Sequence, residues 1–345
     1  MAIVVTGGAG FIGSHLVEEL LKKGEDTIVI DNFHDYYDQD IKIKNVLESL
    51  NKVELLEKIL SEKEKEQKIN KLIELINKDN YSLYFSDIRD KRKIEKIFKN
   101  NKIEMVINLA GLAGVRPSLL DPLEYESVNV SGYLNILEFC RKYNVKKVIQ
   151  ASSSSIYGNN KKVPFEENDI VDFTISPYGA SKKSSELHSY VYYKLYGIDN
   201  IQFRFFTVYG PRQRPDLAIY KFLKKILNDE PIDFYGDGNT YRDYTYVKDI
   251  VDGIVKGIKY LRSKDDIYEI INLGRSKPVS LKEMVETIEK EVNKKAIYHV
   301  MPMQPGDVDK TYGNIEKAKE LLEYEPRTDF KNGIHKFVKW YLGGK

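Results

Sequence analysis

Cysteine is all but missing from this chain. Cys140 stands alone among 345 residues, so no intramolecular disulfide can form, and a reducing cytoplasmic setting is expected. Histidine is scarce as well: His15, His34, His188, His299 and His335 are scattered without the spacing of metal ligands, and no metal site is expected. No apolar run approaches the ~18 residues needed to span a bilayer. The opening MAIVVTGGAG lacks the basic n-region of a secretory signal. An excess of either charge is lacking too: 54 basic side chains meet 52 acidic ones, a net charge of +2. That balance offers neither nucleic acid nor an anionic membrane an electrostatic reason to bind.

What the chain does have is apolar material. Hydrophobic residues make up 42% of it, enough for a sizeable core in one large α/β domain with an appendage, or in two domains. Short β-branched runs alternate with helical stretches through the first two hundred residues. IVVT (Ile3–Thr6), TIVI (Thr27–Ile30), MVINLA (Met105–Ala110), KVIQAS (Lys147–Ser152) and IQFRFF (Ile201–Phe206) read as buried strands. Between them lie segments such as SHLVEELLKKG, apolar at helical spacing and closed by glycine. This alternation implies a parallel sheet covered by helices on both faces. Past Tyr209 the texture turns loop-rich, so residues 1–209 are expected to form the first domain and 210–345 a smaller α/β domain. A strand near 269–274 is placed to return to the first sheet. Residues 40–79 form a charged helical insertion, read as one or two solvated amphipathic helices on the domain edge, with a partner-binding surface as the lesser reading.

TGGAGFIGSH follows the first strand and opens the first helix, with Gly7, Gly10 and Gly13 three apart. Glycine is required where a backbone turns tightly, approaches a pyrophosphate and packs a helix on a strand, and the helix N-terminus then offers its amides to the phosphates. Asp31, ending the second strand, is suited to accept from the ribose hydroxyls of NAD and to repel a 2′-phosphate. The fold class is therefore α/β, a Rossmann-type doubly wound parallel sheet that binds NAD.

SPYGASKK sets Tyr178 and Lys182 four residues apart. That spacing carries little by itself, because a Lys follows a Tyr by four positions eight times in this chain. Context separates this pair from the rest. Tyr178 opens a helical stretch, so both side chains share a face, and ASSSSIYG upstream places hydroxyls at the carboxyl edge of the sheet, where ligands bind in such folds. An ammonium held near a phenol lowers a pKa that starts near ~10 and makes a general base near neutral pH.

The combination TGGAGFIGSH, ASSSSIYG and YGASK resembles the extended short-chain dehydrogenase/reductase family. DNFHDYYD, AGVRPS, KVPFEENDIVD, RFFTVYGPRQRPDLAI, PIDFYGDG with RDYTYVKDIVDG, and MQPGDVDKT resemble more closely the UDP-glucuronate 4-epimerases within it. The similarity spans nearly the whole chain except the charged insertion. It implies that Tyr178 is the base, Lys182 its electrostatic partner and a ribose ligand, and Ser153 the second catalytic group. It implies NAD contacts at Phe11, Ile12, Asp31, Asn32, Asp87, Ile88, Leu109, Ala110, Gly111 and Asn129. Arg242 and Asp307 match positions that hold the nucleotide diphosphate and ribose of a UDP-sugar, and Ser154 joins Ser153 beside the sugar. Thr207 and Arg214, with Arg116 weaker, are the implied contacts of a uronate carboxylate. A homodimer is implied as well, packed through the helix after Tyr178 and the helix near Leu134.

The implied reaction is 4-epimerisation of UDP-glucuronate to UDP-galacturonate through a 4-keto sugar. Leu112 replaces a more usual Gln, Pro117 stands where an aromatic is common, and Gln304 replaces the arginine of the neutral-sugar enzymes. UDP-glucose 4-epimerase and UDP-glucuronate decarboxylase are the alternative reactions, and a non-catalytic NAD-binding module is the alternative class. A 4,6-dehydratase is set aside because Ser154 and Ser155 occupy the places of its extra acid/base pair.

Overall fold

The computed structural model describes residues 1–78, 80–302 and 310–343. They fall into two compact units. The first takes Met1–Gly158, Val171–Arg204 and Ile254–Ile271; the second takes Asn159–Ile170, Phe205–Gly253 and the described residues from Asn272 onward. The chain thus passes between the units five times, rather than once near 209–210.

The first unit is built on a seven-stranded sheet. Its strands are β1 (Ala2–Thr6), β2 (Thr27–Asp31), β3 (Tyr81–Phe85), β4 (Ile103–Asn108), β5 (Lys147–Ser153), β6 (Asp199–Phe205) and β7 (Tyr268–Leu273), in the order β7-β6-β5-β4-β1-β2-β3. Every pairing from β5 through β4, β1 and β2 to β3 is parallel. The interleaving of the units has its cause here: β7 lies beside β6, which draws the chain before it into the first unit. Gly257 in that stretch packs on Phe203 and Ile149 so closely that a Cβ there would sit 2.7 Å from the Phe203 ring.

Both faces of the sheet are covered, so its strands read as near-continuous apolar runs. Val4, Ile28, Ile30, Val106 and Val148 form one face, against Ile94, Ile97 and Phe98 of the helix Lys91–Asn100 and Ile136, Leu137 and Cys140 of the helix Tyr133–Lys142. The strand β3 (YSLYF) is an addition to the strands read from sequence; its run is short, and only Tyr81 and Leu83 are buried in it.

The charged insertion is less solvated than its composition suggests. It forms the helices Gln39–Ser49, Leu56–Leu60 and Lys65–Ile76 with a 3-10 turn at Val53–Leu55. Ile43, Val46, Leu47, Ile59, Ile69, Leu72 and Ile76 are buried in it. The helix Lys65–Ile76 starts with a reciprocal capping box between Glu64 and Gln67. Asn45 donates from Nδ2 to the carbonyl of Ala9 at 3.4 Å, so the insertion also reaches the glycine loop.

In the second unit, Thr207–Tyr209 pairs in parallel with Tyr244–Tyr246, and Pro231–Tyr235 with Ile297–Met301. Tyr241–Arg242 lies between Val279–Ser280 and Lys310–Thr311. The helices Ala218–Leu227, Leu281–Val292, Glu316–Leu322 and Phe330–Tyr341 accompany them. Among the described residues no helix is long and apolar enough to cross a membrane.

The order of the first sheet reverses between β1 and β4, the place where open α/β folds bind ligands. A buried polar ladder crosses it. Thr6 Oγ1 donates to Asn108 Oδ1 at 2.5 Å, and Asn108 Nδ2 donates to Gln150 Oε1 at 2.7 Å. Thr6 in turn accepts the amide of Ala110 at 3.2 Å, which aims the chain leaving β4. Asn108→Leu strands the acceptor on Gln150 and the hydroxyl of Thr6. Urea denaturation at pH 7 is expected to show a loss of about 1–3 kcal/mol, the cost of an unsatisfied buried polar group; no change would mean that the ladder is not what holds these strand ends.

Candidate active site

The glycine loop sits against the end of β4. Gly7 has φ +71, and a Cβ on it would lie 2.8 Å from the amide nitrogen of Ala110. A Cβ on Gly13 would lie 2.2 Å from the carbonyl oxygen of Gly7, so only glycine lets the helix Phe11–Lys22 begin this close to the loop. Gly10 is the N-cap of that helix and contributes no side-chain hydrogen bond, which leaves the capping of the first-turn amides to an anionic ligand. Phe11 is buried and Ile12 half-buried behind them.

Asp31 closes the other side. Its carboxylate accepts from the amide of Ala9 at 3.0 Å and from the amide of Phe33 at 2.8 Å, which leaves lone pairs for further donors. Asn32 donates to Asp87 at 2.8 Å. Asp87 also takes three bonds from Arg89, through its amide and its Nε and Nη2, at 2.8–2.9 Å. Burial pushes the Asp87 carboxyl up, but the bonds from Arg89 and Asn32 outweigh it and hold it below the usual range. Arg89 reaches on to both oxygens of Glu124 at 3.0 Å and to Ser127 Oγ at 3.1 Å. Ile88, buried next door, fills the space that a Cβ on Gly132 would need.

Leu109, Ala110 and Gly111 follow β4. A Cβ on Gly111 would lie 2.9 Å from Asn129 Oδ1 and 3.3 Å from Lys182 Nζ, so these three predicted cofactor positions converge. Asn129 lies in a π-helical turn, Ser127–Gly132, a feature frequent at functional sites. It clamps Leu112 at both amide and carbonyl (2.8 and 2.9 Å) and donates to Ser181 Oγ at 3.0 Å. A glycine loop, an uncapped helix start, a carboxylate at the end of β2 and a buried ammonium make a set that fits a dinucleotide such as NAD.

Tyr178 and Lys182 stand one turn apart on the helix Pro177–Tyr196, capped by Ser176 through its bond to the amide of Gly179 at 3.0 Å. Lys182 is buried and donates to the carbonyl of Ala151 at 2.8 Å. Burial lowers it from 10.5 to about 8. The ring of Tyr178 meets Tyr125 edge-on, 6.1 Å between centroids, in an apolar group with Leu112 and Val128. Ser153 ends β5; its Oγ accepts the amide of Ser155 at 3.1 Å and lies 3.2 Å from Ser155 Oγ. Ser154 opens the 3-10 turn Ser154–Tyr157. That turn lies against the tyrosine helix: a Cβ on Gly179 would be 2.8 Å from the carbonyl oxygen of Ser155. The first unit therefore brings together Ser153, Tyr178, Lys182, Gly111 and Asn129, with Arg116 exposed on the short helix Val115–Leu120.

Thr207, Arg214 and Arg242 belong to the second unit. Thr207 is half-buried, and its amide donates to the carbonyl of Asp243 at 3.0 Å. Arg214 forms two bonds to Asp216, 2.9 and 2.8 Å, a partner not anticipated from sequence. Arg242 donates from Nη1 to the carbonyl of Tyr241 at 2.9 Å. Asp307 and Gln304 lie outside the described residues. Asp243 was passed over in RDYTYV although it organises this region. Fully buried, its carboxylate accepts the amides of Arg275 and Ser276 at 2.9 Å and Thr245 Oγ1 at 3.2 Å, and burial raises its pKa. Its position beside Arg242, inside a strand-like run, was the available signal.

The family model of the NAD dependent epimerase/dehydratase family matches residues 3–274. The chain is 39% identical to a UDP-glucuronate 4-epimerase of Thermodesulfobacterium geofontis over 98% of its own length and 95% of that protein. Among solved structures, the UDP-glucuronic acid 4-epimerase from Bacillus cereus in complex with UDP-glucuronic acid and NAD matches with a TM-score of 0.85 at 32% identity, covering 99% of each chain. A UDP-glucose 4-epimerase from Thermotoga maritima with UDP-glucose matches at 0.80 and 31%, again over 99% of each chain.

The depressed value of Lys182 has a consequence for stability. Its charged form is penalised in the folded chain, so folding gains most above pH 10.5, loses that gain as pH falls to about 8, and changes no further below it. Lys182→Met removes the penalty. The variant is expected to be at least as stable as the wild type at pH 7 in urea, with the difference closing by pH 10.5. A variant much weaker at pH 7 would show that the bond to Ala151 outweighs the cost of burying the charge.

Proposed function

The chain belongs to the NAD dependent epimerase/dehydratase family, and from that premise we propose that it is a UDP-glucuronate 4-epimerase. It is an enzyme, an NAD-dependent nucleotide-sugar 4-epimerase, and its cofactor is NAD. The observation that carries the reading is the convergence of Ser153, Tyr178 and a buried Lys182 beside a glycine loop, in a chain similar over its whole length to UDP-glucuronate 4-epimerases.

When bound, NAD supplies reversible hydride acceptance at carbon 4 of the sugar. Gly7, Gly10, Phe11, Ile12 and Gly13 would hold its pyrophosphate at the helix start, Asp31 would accept from the adenosine ribose hydroxyls, and Asn32 would contact the cofactor beside it. Asp87, Ile88, Leu109, Ala110, Gly111 and Asn129 would contact the remainder. Tyr178 Oη takes the proton of the sugar 4-hydroxyl and later returns it. The ammonium of Lys182, a turn away, favours the phenolate. Ser153 Oγ donates to the sugar oxygen as it becomes a ketone, and Ser154 contacts the sugar beside it. In the 4-keto state a uronate is a β-keto acid and is prone to lose carbon dioxide. Thr207 and Arg214, with Arg116 in support, engage its carboxylate and disfavour that loss. Arg242 and Asp307 hold the diphosphate and ribose.

A second reading, UDP-glucose 4-epimerase, is favoured by one contact. Asp216 occupies two donors of Arg214, and a neutral sugar needs nothing from that guanidinium.

A proton NMR time course of UDP-glucuronate with purified protein and no added coenzyme is expected to yield UDP-galacturonate. A pentose nucleotide instead would identify a decarboxylase, and turnover of UDP-glucose alone would identify the second reading. Tyr178→Phe is expected to fold and retain NAD while turnover falls about 10²–10⁴-fold, the usual worth of a general base; near-normal activity would remove Tyr178 from that role. We also propose a homodimer. Leu187, Val191 and Leu195 form an exposed apolar stripe along the tyrosine helix, which self-pairing covers. Light scattering at micromolar concentration is expected to give twice the chain mass, and a monomer would refute it.

A further inference from the structure

Four buried polar side chains from four segments of the first unit are joined into one network. Glu186, one turn after Lys182 on the tyrosine helix, accepts from Arg204 Nε and Nη2 at 2.9 Å each and from Ser152 Oγ at 2.7 Å. Arg204, near the end of β6, donates through Nη1 to the Tyr157 hydroxyl at 3.0 Å, with its guanidinium 4.9 Å from the centre of that ring. Tyr268 of β7 bonds the backbone carbonyl of Glu186 at 2.8 Å. Glu186, Arg204, Ser152 and Tyr157 are all at most 3% exposed.

A buried ion pair is a poor means of gaining stability, because desolvation offsets most of the attraction. It is a good means of fixing geometry, since a bidentate guanidinium–carboxylate pair tolerates little rotation. The segments it fixes are those that carry the proposed chemistry. Ser152 immediately precedes Ser153, and side chains alternate along a strand, so pinning the hydroxyl of Ser152 on one face sets the rotation of Ser153 on the other. Glu186 shares a helix with Tyr178 and Lys182, and Tyr157 ends the turn that follows Ser153.

We infer that Glu186 and Arg204, acting through Ser152 and Tyr157, are positioning residues that hold Ser153 in register with Tyr178 and Lys182. None of the four is among the groups proposed to touch the sugar or NAD. The inference rests on the epimerase reading and adds to it the means by which one strand end and one helix keep a fixed separation.

The test uses the purified full-length protein with its bound NAD. Ser152→Ala removes the hydroxyl link and leaves the Glu186–Arg204 pair intact. Expected is a fall in kcat of at least tenfold, with KM for UDP-glucuronate and the NAD content per chain each within twofold of the wild type. Ser152→Thr, which restores the hydroxyl, is expected to recover most of the loss. Tyr157→Phe, at the far side of the network, is an independent second variant with the same expected split between kcat and KM. Overturning results are an unchanged kcat in Ser152→Ala with the wild type active, or a loss of kcat that tracks loss of NAD and a raised KM. A wild type inert with both UDP-glucuronate and UDP-glucose overturns the epimerase reading, and this inference with it.

Discussion

An ammonium buried beside a single backbone carbonyl is the constraint around which the first unit is arranged. The hydrogen bond of Lys182 to Ala151 replaces only part of its hydration, and its value near 8 records what is missing. A lysine placed like this is costly unless a ligand completes its surroundings. Gly111 has no side chain to occupy the space beside Nζ, and the Asn129 amide that would meet one is itself clamped to Leu112 and Ser181. The loop after β4, the π-helical turn and the tyrosine helix are thus fixed relative to one charge.

The polar groups that surround this charge are sorted by task. At the strand ends, Thr6, Asn108 and Gln150 bond to one another and aim the backbone. One layer further out, Glu186 and Arg204 bond side chains from separate segments. Removing one member of either set leaves a buried polar group unpaired, which costs more than the bond itself contributes. Rigidity at the carboxyl edge of this sheet therefore comes from hydrogen bonds that fail together, while the apolar strands beneath supply burial.

What could be read in the sequence and what could not divides along the same line. The turn of the glycine loop, the strand that ends at Asp31 and the helix that carries Tyr178 and Lys182 were legible because each is a local pattern: a turn, a strand end, one helical repeat. The parallel sheet was legible because strands buried on both faces read as apolar runs. The strand Tyr81–Phe85 was missed because it is short and half-polar at the edge of a charged insertion, and the burial within the insertion was missed because Lys and Glu outnumber its Ile and Leu. Glu186 with Arg204, Arg89 with Glu124, and Asp243 with Arg275 are partners 18, 35 and 32 positions apart. No periodicity links such pairs. A polar residue inside an apolar run was their only trace, and Arg204 in IQFRFF and Asp243 in RDYTYV both carried it.

The carboxylates near the site bear on the proposal that hydroxyl groups carry the proton transfer. Asp31 is engaged by two backbone amides, Asp87 by Arg89 and Asn32, Glu124 by Arg89, and Glu186 by Arg204 and Ser152. Each is used as an acceptor that shapes a loop or joins two segments, which leaves its lone pairs already occupied by protein donors. In the second unit the buried Asp243 carboxylate likewise accepts the amides of Arg275 and Ser276 and shapes their turn. A phenol can take the part of base under these conditions only if a positive charge stands close and poorly solvated, where its field is least screened. That requirement accounts for a lysine placed in the interior with no carboxylate bonded to it among the described residues, and it ties the cost of burying Lys182 to the reactivity expected of Tyr178.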